Sequence, residues 1–348
     1  MALISKKKTI YPIGNTLRKY LIKYDRETRL PVQYTDLLRY DNTIPLRDRK
    51  DKDSLWESVF YPQSDMLQIH NDLKEIYAML KAGGDLSVMQ HLYVDRIDLC
   101  VYGNTLPFRV RIVNRINDNF DYFYIKVADA SRIYGLELEH LLSPNRISYY
   151  VDSNTLVEQH IVGVPGDQFI KQYLNDPNLN KTRLAKEFVK FNERCFIRLL
   201  GDMHSSNFVV NITPDFEDVD YRIRAIDFDQ QSYEGRKSIY LPQYFKENNP
   251  LIEIGLNCMT VETVRQYQKE ERSLIARRYK VSRAEIADLL RAMSSDKISP
   301  IENVRKLGKD LAKHYSDPDF EQCETMGDLV KRSLDKVIEN KQVYQFPV

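Results

Sequence analysis

Four polar residues stand in an order that could do chemistry. Asp202 precedes Asn207 by five positions in Gly201-Asp202-Met203-His204-Ser205-Ser206-Asn207, and an apolar run, Phe208-Val209-Val210, follows. After a polar insert, a second apolar run, Ile223-Arg224-Ala225-Ile226, ends on Asp227-Phe228-Asp229. A carboxylate that orients or deprotonates a hydroxyl, followed by an amide oxygen and a second carboxylate for a divalent cation, suits phosphoryl transfer from a magnesium-bound nucleotide. Mg²⁺ takes few protein oxygens and fills its shell with phosphate and water, so one Asn and one Asp suffice. Asp202 is therefore the candidate catalytic group, and Asn207 and Asp227 are the candidate metal ligands. His204 is expected to brace the loop by a hydrogen bond. Asp229 is expected either to hold a second metal or to pair with a neighbouring Arg or Lys. Asp, Asn, Gly and Ser between apolar runs are also what a hairpin turn uses, so the company these residues keep has to decide.

The sequence resembles the protein-kinase-like superfamily, and its small-molecule branch more than the protein kinases. Aminoglycoside phosphotransferases and choline-type kinases carry G-D-x-H-x-x-N followed by I-D-[FW]-[DEG], and Gly201 to Asn207 with Ile226-Asp227-Phe228-Asp229 is similar to both pieces. Protein kinases have Arg where this chain has Gly201. The Ile-Asp-Phe-Asp ending also occurs in kinases of lipopolysaccharide core sugars. The resemblance covers about residues 92–231. It implies a bilobal α+β fold, with an antiparallel-sheet N-lobe, a mainly helical C-lobe and, here, an N-terminal extension. It also implies ATP and Mg²⁺ as cofactors.

Several elements must position these groups. Between Ser64 and Lys81, Met66, Ile69, Leu73, Ile76 and Leu80 fall at helical spacing, and Gly83-Gly84 closes the pattern. Three strand-like runs follow: His91 to Tyr102, Phe108 to Val113, which alternates cleanly, and Tyr122 to Val127. Lys126 interrupts the apolar third run. An edge-strand lysine that blocks aggregation would look the same, but the resemblance implies contact with the nucleotide α- and β-phosphates. A helix from Ser131 to Leu142 then offers Glu137 and Glu139 as partners for that ammonium. Glu158, Gln159, His160 and Ile161, at the end of the hairpin 146–162, occupy the place where the resemblance puts adenine. A long helix, Lys181 to Leu200, leads into Gly201-Asp202. Later helical patterns cover Thr260–Arg278, Arg283–Met293, Ile301–His314 and Met326–Asn340.

The expected division is an aromatic-rich extension over 1–90, an N-lobe and hinge over 91–163, and a helical C-lobe over 164–348. One feature departs from the family. Gly103-Asn104-Thr105-Leu106-Pro107 has a single glycine where G-x-G-x-x-G is usual. The alternating charges of 47–53 read as a solvated loop or helix face, and Arg277-Arg278-Tyr279-Lys280 as a solvated helix end.

Fifty-one basic and fifty acidic residues among 348 leave a formal charge of +1. Bulk electrostatics therefore gives no reason to expect a nucleic-acid or anionic-membrane partner. Four dispersed cysteines fit a reducing compartment, and no run is long and apolar enough for a signal peptide or a membrane span. A cytoplasmic location follows as an expectation. The reading is an ATP- and Mg²⁺-dependent phosphotransferase acting on a hydroxyl of a small molecule. Its rivals are a kinase of a protein or lipopolysaccharide sugar, a nucleotidyl transferase, and a pseudokinase-type scaffold that recruits a protein partner through residues 1–90.

Overall fold

The structure, a computed structural model, describes residues 8–47, 51–103, 105–214, 216 and 219–339. The chain divides into two compact units, one of residues 1–130 with 147–160, the other of 131–146 with 161–348. The first is built on an antiparallel sheet and the second is mainly helical, the α+β division expected from sequence.

In the first unit, helices α1 (Asn15–Lys23) and α2 (Tyr34–Leu37) precede strands β1 (Asn42–Arg47) and β2 (Asp53–Phe60). Helix α3 (Gln63–Ala82) leads to β3 (Leu92–Cys100), β4 (Phe108–Asn114) and β5 (Phe120–Val127). After helix α4 (Ala130–Leu142), strands β6 (Tyr149–Asp152) and β7 (Thr155–Gln159) complete the sheet, whose order is β1-β2-β3-β4-β5-β7-β6. Alternation decides which face is buried. Phe108, Val110 and Ile112 of β4 join Phe123 and Ile125 of β5 in the core, while Arg109 and Arg111 point the other way. Ile69, Leu73, Ile76 and Leu80 of α3 close that core from one side. Each contributes about 1.5–3 kcal/mol when fully buried. Gly83 ends α3 in the left-handed conformation (φ 59°) that glycine adopts without strain.

Residues 8–90 therefore belong to the same compact unit as the sheet, because β1 and β2 extend it and α3 packs on it. The charged stretch 47–53 joins β1 to β2, with 48–50 outside the described residues.

The second unit takes all of α4 but its first residue and continues with β8 (Val164–Pro165) and α5 (Gly166–Gln172), followed by α6 (Lys181–Arg198). Asn180 caps α6 by accepting from the Arg183 N–H at 3.0 Å. Strands β9 (Phe208–Pro214) and β10 (Val219–Ala225) pair antiparallel, and β8 adds to β9. The polar insert seen in the sequence is thus largely the far end of this hairpin. Helices α7 (Asn249–Cys258), α8 (Val261–Val281), α9 (Arg283–Ser295), α10 (Ile301–Tyr315) and α11 (Met326–Ile338) finish the unit. Arg278, in the basic stretch read as a solvated helix end, turns inward: its Nη1 lies 3.4 Å from the Leu142 carbonyl and 3.7 Å from Glu271. No helix among the described residues is long and apolar enough to cross a membrane.

Candidate active site

The loop after α6 is shaped by its neighbours. The segment 228–232 runs alongside it: Leu200 forms a bridge with Gln231, and the Gly201 N–H donates to the Gln230 carbonyl at 3.2 Å. A Cβ on Gly201 would stand 3.0 Å from that carbonyl and 2.9 Å from Ile239, so this close approach needs glycine. Asp202 has φ 62°, a left-handed backbone that costs a non-glycine residue about 1–2 kcal/mol. It is held there by the Asp202 N–H to Ile239 carbonyl bond (3.0 Å) and by two donors to its own carbonyl, the His204 N–H (2.9 Å) and the Asn207 amide (2.8 Å). Buried Asn248 adds a clamp, its amide donating to the Met203 and Pro242 carbonyls at 3.0 and 2.8 Å.

This arrangement brings the sequence-predicted groups of the second unit together. The β9–β10 ladder pairs Phe208 with Ala225, and the Ile226 N–H donates to the Asn207 carbonyl at 3.0 Å. Asn207 and Asp227 therefore leave the same end of the hairpin, beside Asp202. Burial pushes the Asp202 carboxyl up to about 6; His204 pulls it down, while Asp227, Glu234 and Glu247 add to the rise. His204 sits inside the loop, where its Nδ1 lies 3.4 Å from the Ser206 N–H and its ring packs edge-on to Phe245.

The donor set fits a hard divalent cation. Asn207 commits its amide nitrogen to the Asp202 carbonyl, which leaves the amide oxygen as the ligand atom. Asp227 Oδ1 accepts from Arg132 (2.9 Å) and from the Asp229 N–H (3.0 Å), whereas Oδ2 carries neither bond, on a side chain 38% exposed. One amide and one carboxylate oxygen are what Mg²⁺ asks of a protein when phosphate and water complete its shell. Among the described residues no group of three or more His, Cys, Asp and Glu could hold a metal, so a metal here would depend on a nucleotide for the rest of its ligands.

Arg132 was not singled out by the sequence. Its Nη1 also reaches Asp229 Oδ1 at 2.7 Å, so of the two roles open to Asp229 the structure has the ion pair with arginine. Arg132 lies in the first turn of an amphipathic helix, where a basic residue reads as solvated, and nothing in the spacing marks it.

The other predicted residues are distributed differently from expectation. The ion-pair partner of Lys126 is Glu158, at 3.0 Å, with both side chains almost fully buried; the ammonium also lies 5.4 Å from the Tyr124 ring centre. This replaces the expected pairing with Glu137 or Glu139, which belong to the other unit. Glu139 there is ion-paired with Arg198 and accepts from Ser143 and Asn145. Burial opposes its ionisation, but Arg198, Ser143 and Arg194 hold its carboxyl below the usual range. Glu137 is fully buried in α4. The reason for the exchange is register: β7 lies next to β5 and sets Glu158 opposite Tyr124, two residues from Lys126 on the same face.

The adenine placement also changes. β7 is an interior strand, so the backbones of Glu158 and Gln159 are used in ladders to β5 and β6, and the His160 N–H donates to the Tyr122 carbonyl. Base recognition by backbone groups would have to come from later residues, Ile161 among them. His160 is instead a packing residue, with Nδ1 3.2 Å from the Tyr124 hydroxyl, and burial lowers its pKa. Gly103 is needed where it stands, because a Cβ there would meet the Pro107 ring at 2.9 Å.

No family model matches the sequence, and neither does any curated protein. Solved structures do match; one is the crystal structure of Rad53 kinase domain and SCD2, at 14% identity over 48% of this chain and 76% of that one, with a TM-score of 0.21. A TM-score that low carries no weight, and the reading rests on the geometry above.

Proposed function

We propose that the chain is a kinase-type phosphotransferase that moves the γ-phosphate of ATP to a hydroxyl, in the protein-kinase-like manner its loop sequence resembles. The observation that carries this reading is the shared hairpin end, where Asn207 and Asp227 each keep one oxygen available beside Asp202. Asn207 and Asp227 would hold Mg²⁺, which neutralises phosphate charge when bound. Asp202 would orient the acceptor hydroxyl and take its proton; in a loose transition state positioning contributes more than basicity. The strained, multiply bonded backbone at Asp202 supports such positioning, since it holds the main chain that carries the carboxylate in one place before substrate arrives. Lys126 stays the candidate phosphate-binding lysine by the resemblance alone, and within its own unit it is paired with Glu158.

A second reading is favoured by a specific observation. Lys126 and Asp227 both already have internal counter-ions, Glu158 and Arg132, as they would in a scaffold that binds no nucleotide. Incubation with ATP and Mg²⁺ and a panel of hydroxylated acceptors, followed by mass spectrometry of protein and acceptors, separates these readings. A phosphoryl increment on an acceptor, absent in Asp202→Asn, supports the small-molecule kinase. A phosphoryl increment on a protein or lipopolysaccharide sugar makes that the acceptor class, and an adenylyl increment makes the chain a nucleotidyl transferase. With no nucleotide consumed, the scaffold reading stands.

A further inference from the structure

We propose that Arg132 is the fixed cation of this site, that it takes the place of a second divalent ion, and that the chain binds one Mg²⁺ per site. The inference rests on the phosphotransferase reading and specifies its metal stoichiometry. It starts from a single guanidinium nitrogen that lies 2.9 Å from Asp227 Oδ1 and 2.7 Å from Asp229 Oδ1. The arginine side chain is 2% exposed, and a guanidinium stays protonated at any working pH. Two carboxylates that could bridge a pair of metal ions are instead bridged by a permanent single charge.

Arg132 is also fixed in place. Ser131, its neighbour in α4, donates its hydroxyl to the Gln231 carbonyl at 2.6 Å. One helical turn on, Gly135 lets α4 approach so closely that a Cβ there would stand 3.0 Å from the Phe228 Cβ and 3.1 Å from the Gln231 Cβ. The helix is thus seated on the segment 228–231 on both sides of Arg132, and the guanidinium lies 5.9 Å from the Phe228 ring centre. Swinging Arg132 aside for a metal would break both of its ion pairs and disturb the packing around a side chain only 2% exposed.

The consequences are chemical. Arg132 and the Asp229 N–H occupy Asp227 Oδ1, so Oδ2 is the atom left for a metal, and its direction is set by those two bonds. Arg132 is a positioning residue for that oxygen. Asp229 serves as the counter-ion of Arg132: its Oδ1 accepts at 2.7 Å and its side chain is 16% exposed against 38% for Asp227, which leaves Asp227 the better placed of the two for a metal. With two carboxylates and one guanidinium, the pair carries a net charge of −1, enough for one divalent ion beside nucleotide phosphates. Replacing Arg132 with a neutral side chain raises this to −2 and takes Asp229 out of its ion pair, which invites a second ion.

The test counts Mn²⁺ bound per full-length chain, by electron paramagnetic resonance of the free ion, with a saturating non-hydrolysable ATP analogue. Wild type is expected to plateau at one and Arg132→Gln at two, with Arg132→Gln/Asp229→Asn returning to one. A wild-type plateau of two overturns the inference, as does a plateau of one in folded Arg132→Gln. A plateau of zero in wild type overturns the phosphotransferase reading itself, and so separates the two failures. If Arg132→Gln does not fold, Asp229→Asn decides, since asparagine can still accept from Arg132. It is expected to keep the count at one and lose far less affinity than the roughly 10–100-fold typical of removing a ligand's own partner. Loss of Mn²⁺ binding in Asp229→Asn overturns the inference.

Discussion

Replacing Glu158 with Ala should destabilise the first unit by about 3–5 kcal/mol, the usual cost of leaving one member of a buried ion pair unpaired. The Lys126 and Glu158 side chains are 10% and 6% exposed, so solvent screens the pair little. At 3.0 Å and an effective dielectric constant of about 20, their gross attraction is about 5.5 kcal/mol, most of which offsets the desolvation of the two charges. The intact pair is therefore worth little net, and the loss in Glu158→Ala comes from stranding the Lys126 ammonium over the Tyr124 ring with no anion. Lys126→Met/Glu158→Leu, which removes both charges, should fall within about 1 kcal/mol of wild type by the same reasoning. The assay is built into the protein. Trp56 is the sole tryptophan, and it lies in the same unit, 4.3 Å under the Arg109 guanidinium and 6.5 Å from the Tyr124 ring. Its fluorescence in a urea titration follows this unit and separates its transition from that of the other. Equal losses in the single and double variants would refute the argument, as would a Glu158→Ala midpoint unchanged from wild type.

Other outcomes follow from the packing and the charges. Leu73→Ala empties a fully buried position where α3 meets the sheet and should cost about 2–5 kcal/mol by the same fluorescence measurement. A detachable extension would lose almost nothing. In the second unit, Lys336 first, then Arg332 and the Asp319 N–H, hold the Asp317 carboxyl down to about 2 against the opposing effect of burial. A carboxyl with a depressed folded-state pKa stabilises above its unfolded value and loses that contribution as the pH falls through the folded one. Thermal melts should therefore show wild type above Asp317→Asn near neutrality, with the gap closing between about pH 4 and pH 2. A gap independent of pH would assign the difference to packing instead.

Much of this fold was legible because the signals are periodic. α3, α6 and the later helices repeat their apolar residues at helical spacing, and β4 alternates, so burial alone dictates their type. The hairpin of β1 and β2 was not legible. β1 sits at the sheet edge with Pro45 inside it and most of its residues exposed, so it lacks an apolar period. The order of Asp202, Asn207 and Asp227 could be read because one loop and one hairpin bring them together. The partner of Lys126 could not, since Glu158 lies 32 residues away and faces it only through the β5–β7 register, which the sequence does not print. Arg132 was hidden for a related reason. Its role depends on how α4 seats on Phe228 and Gln231, and the enabling residues, Ser131 and Gly135, are ordinary helix occupants.

The most direct test of the central claim is thermal stabilisation of the full chain by ATP, GTP and ADP, each with and without Mg²⁺. A ligand that binds only the folded state stabilises by about 2.7 kcal/mol at one hundred times its Kd. The account predicts a rise in Tm with at least one nucleotide that requires Mg²⁺ and disappears in both Asp227→Ala and Asn207→Ala, while the melts of those variants without ligand stay cooperative. Stabilisation that survives in Asp227→Ala, or no nucleotide-dependent shift in wild type, would contradict it.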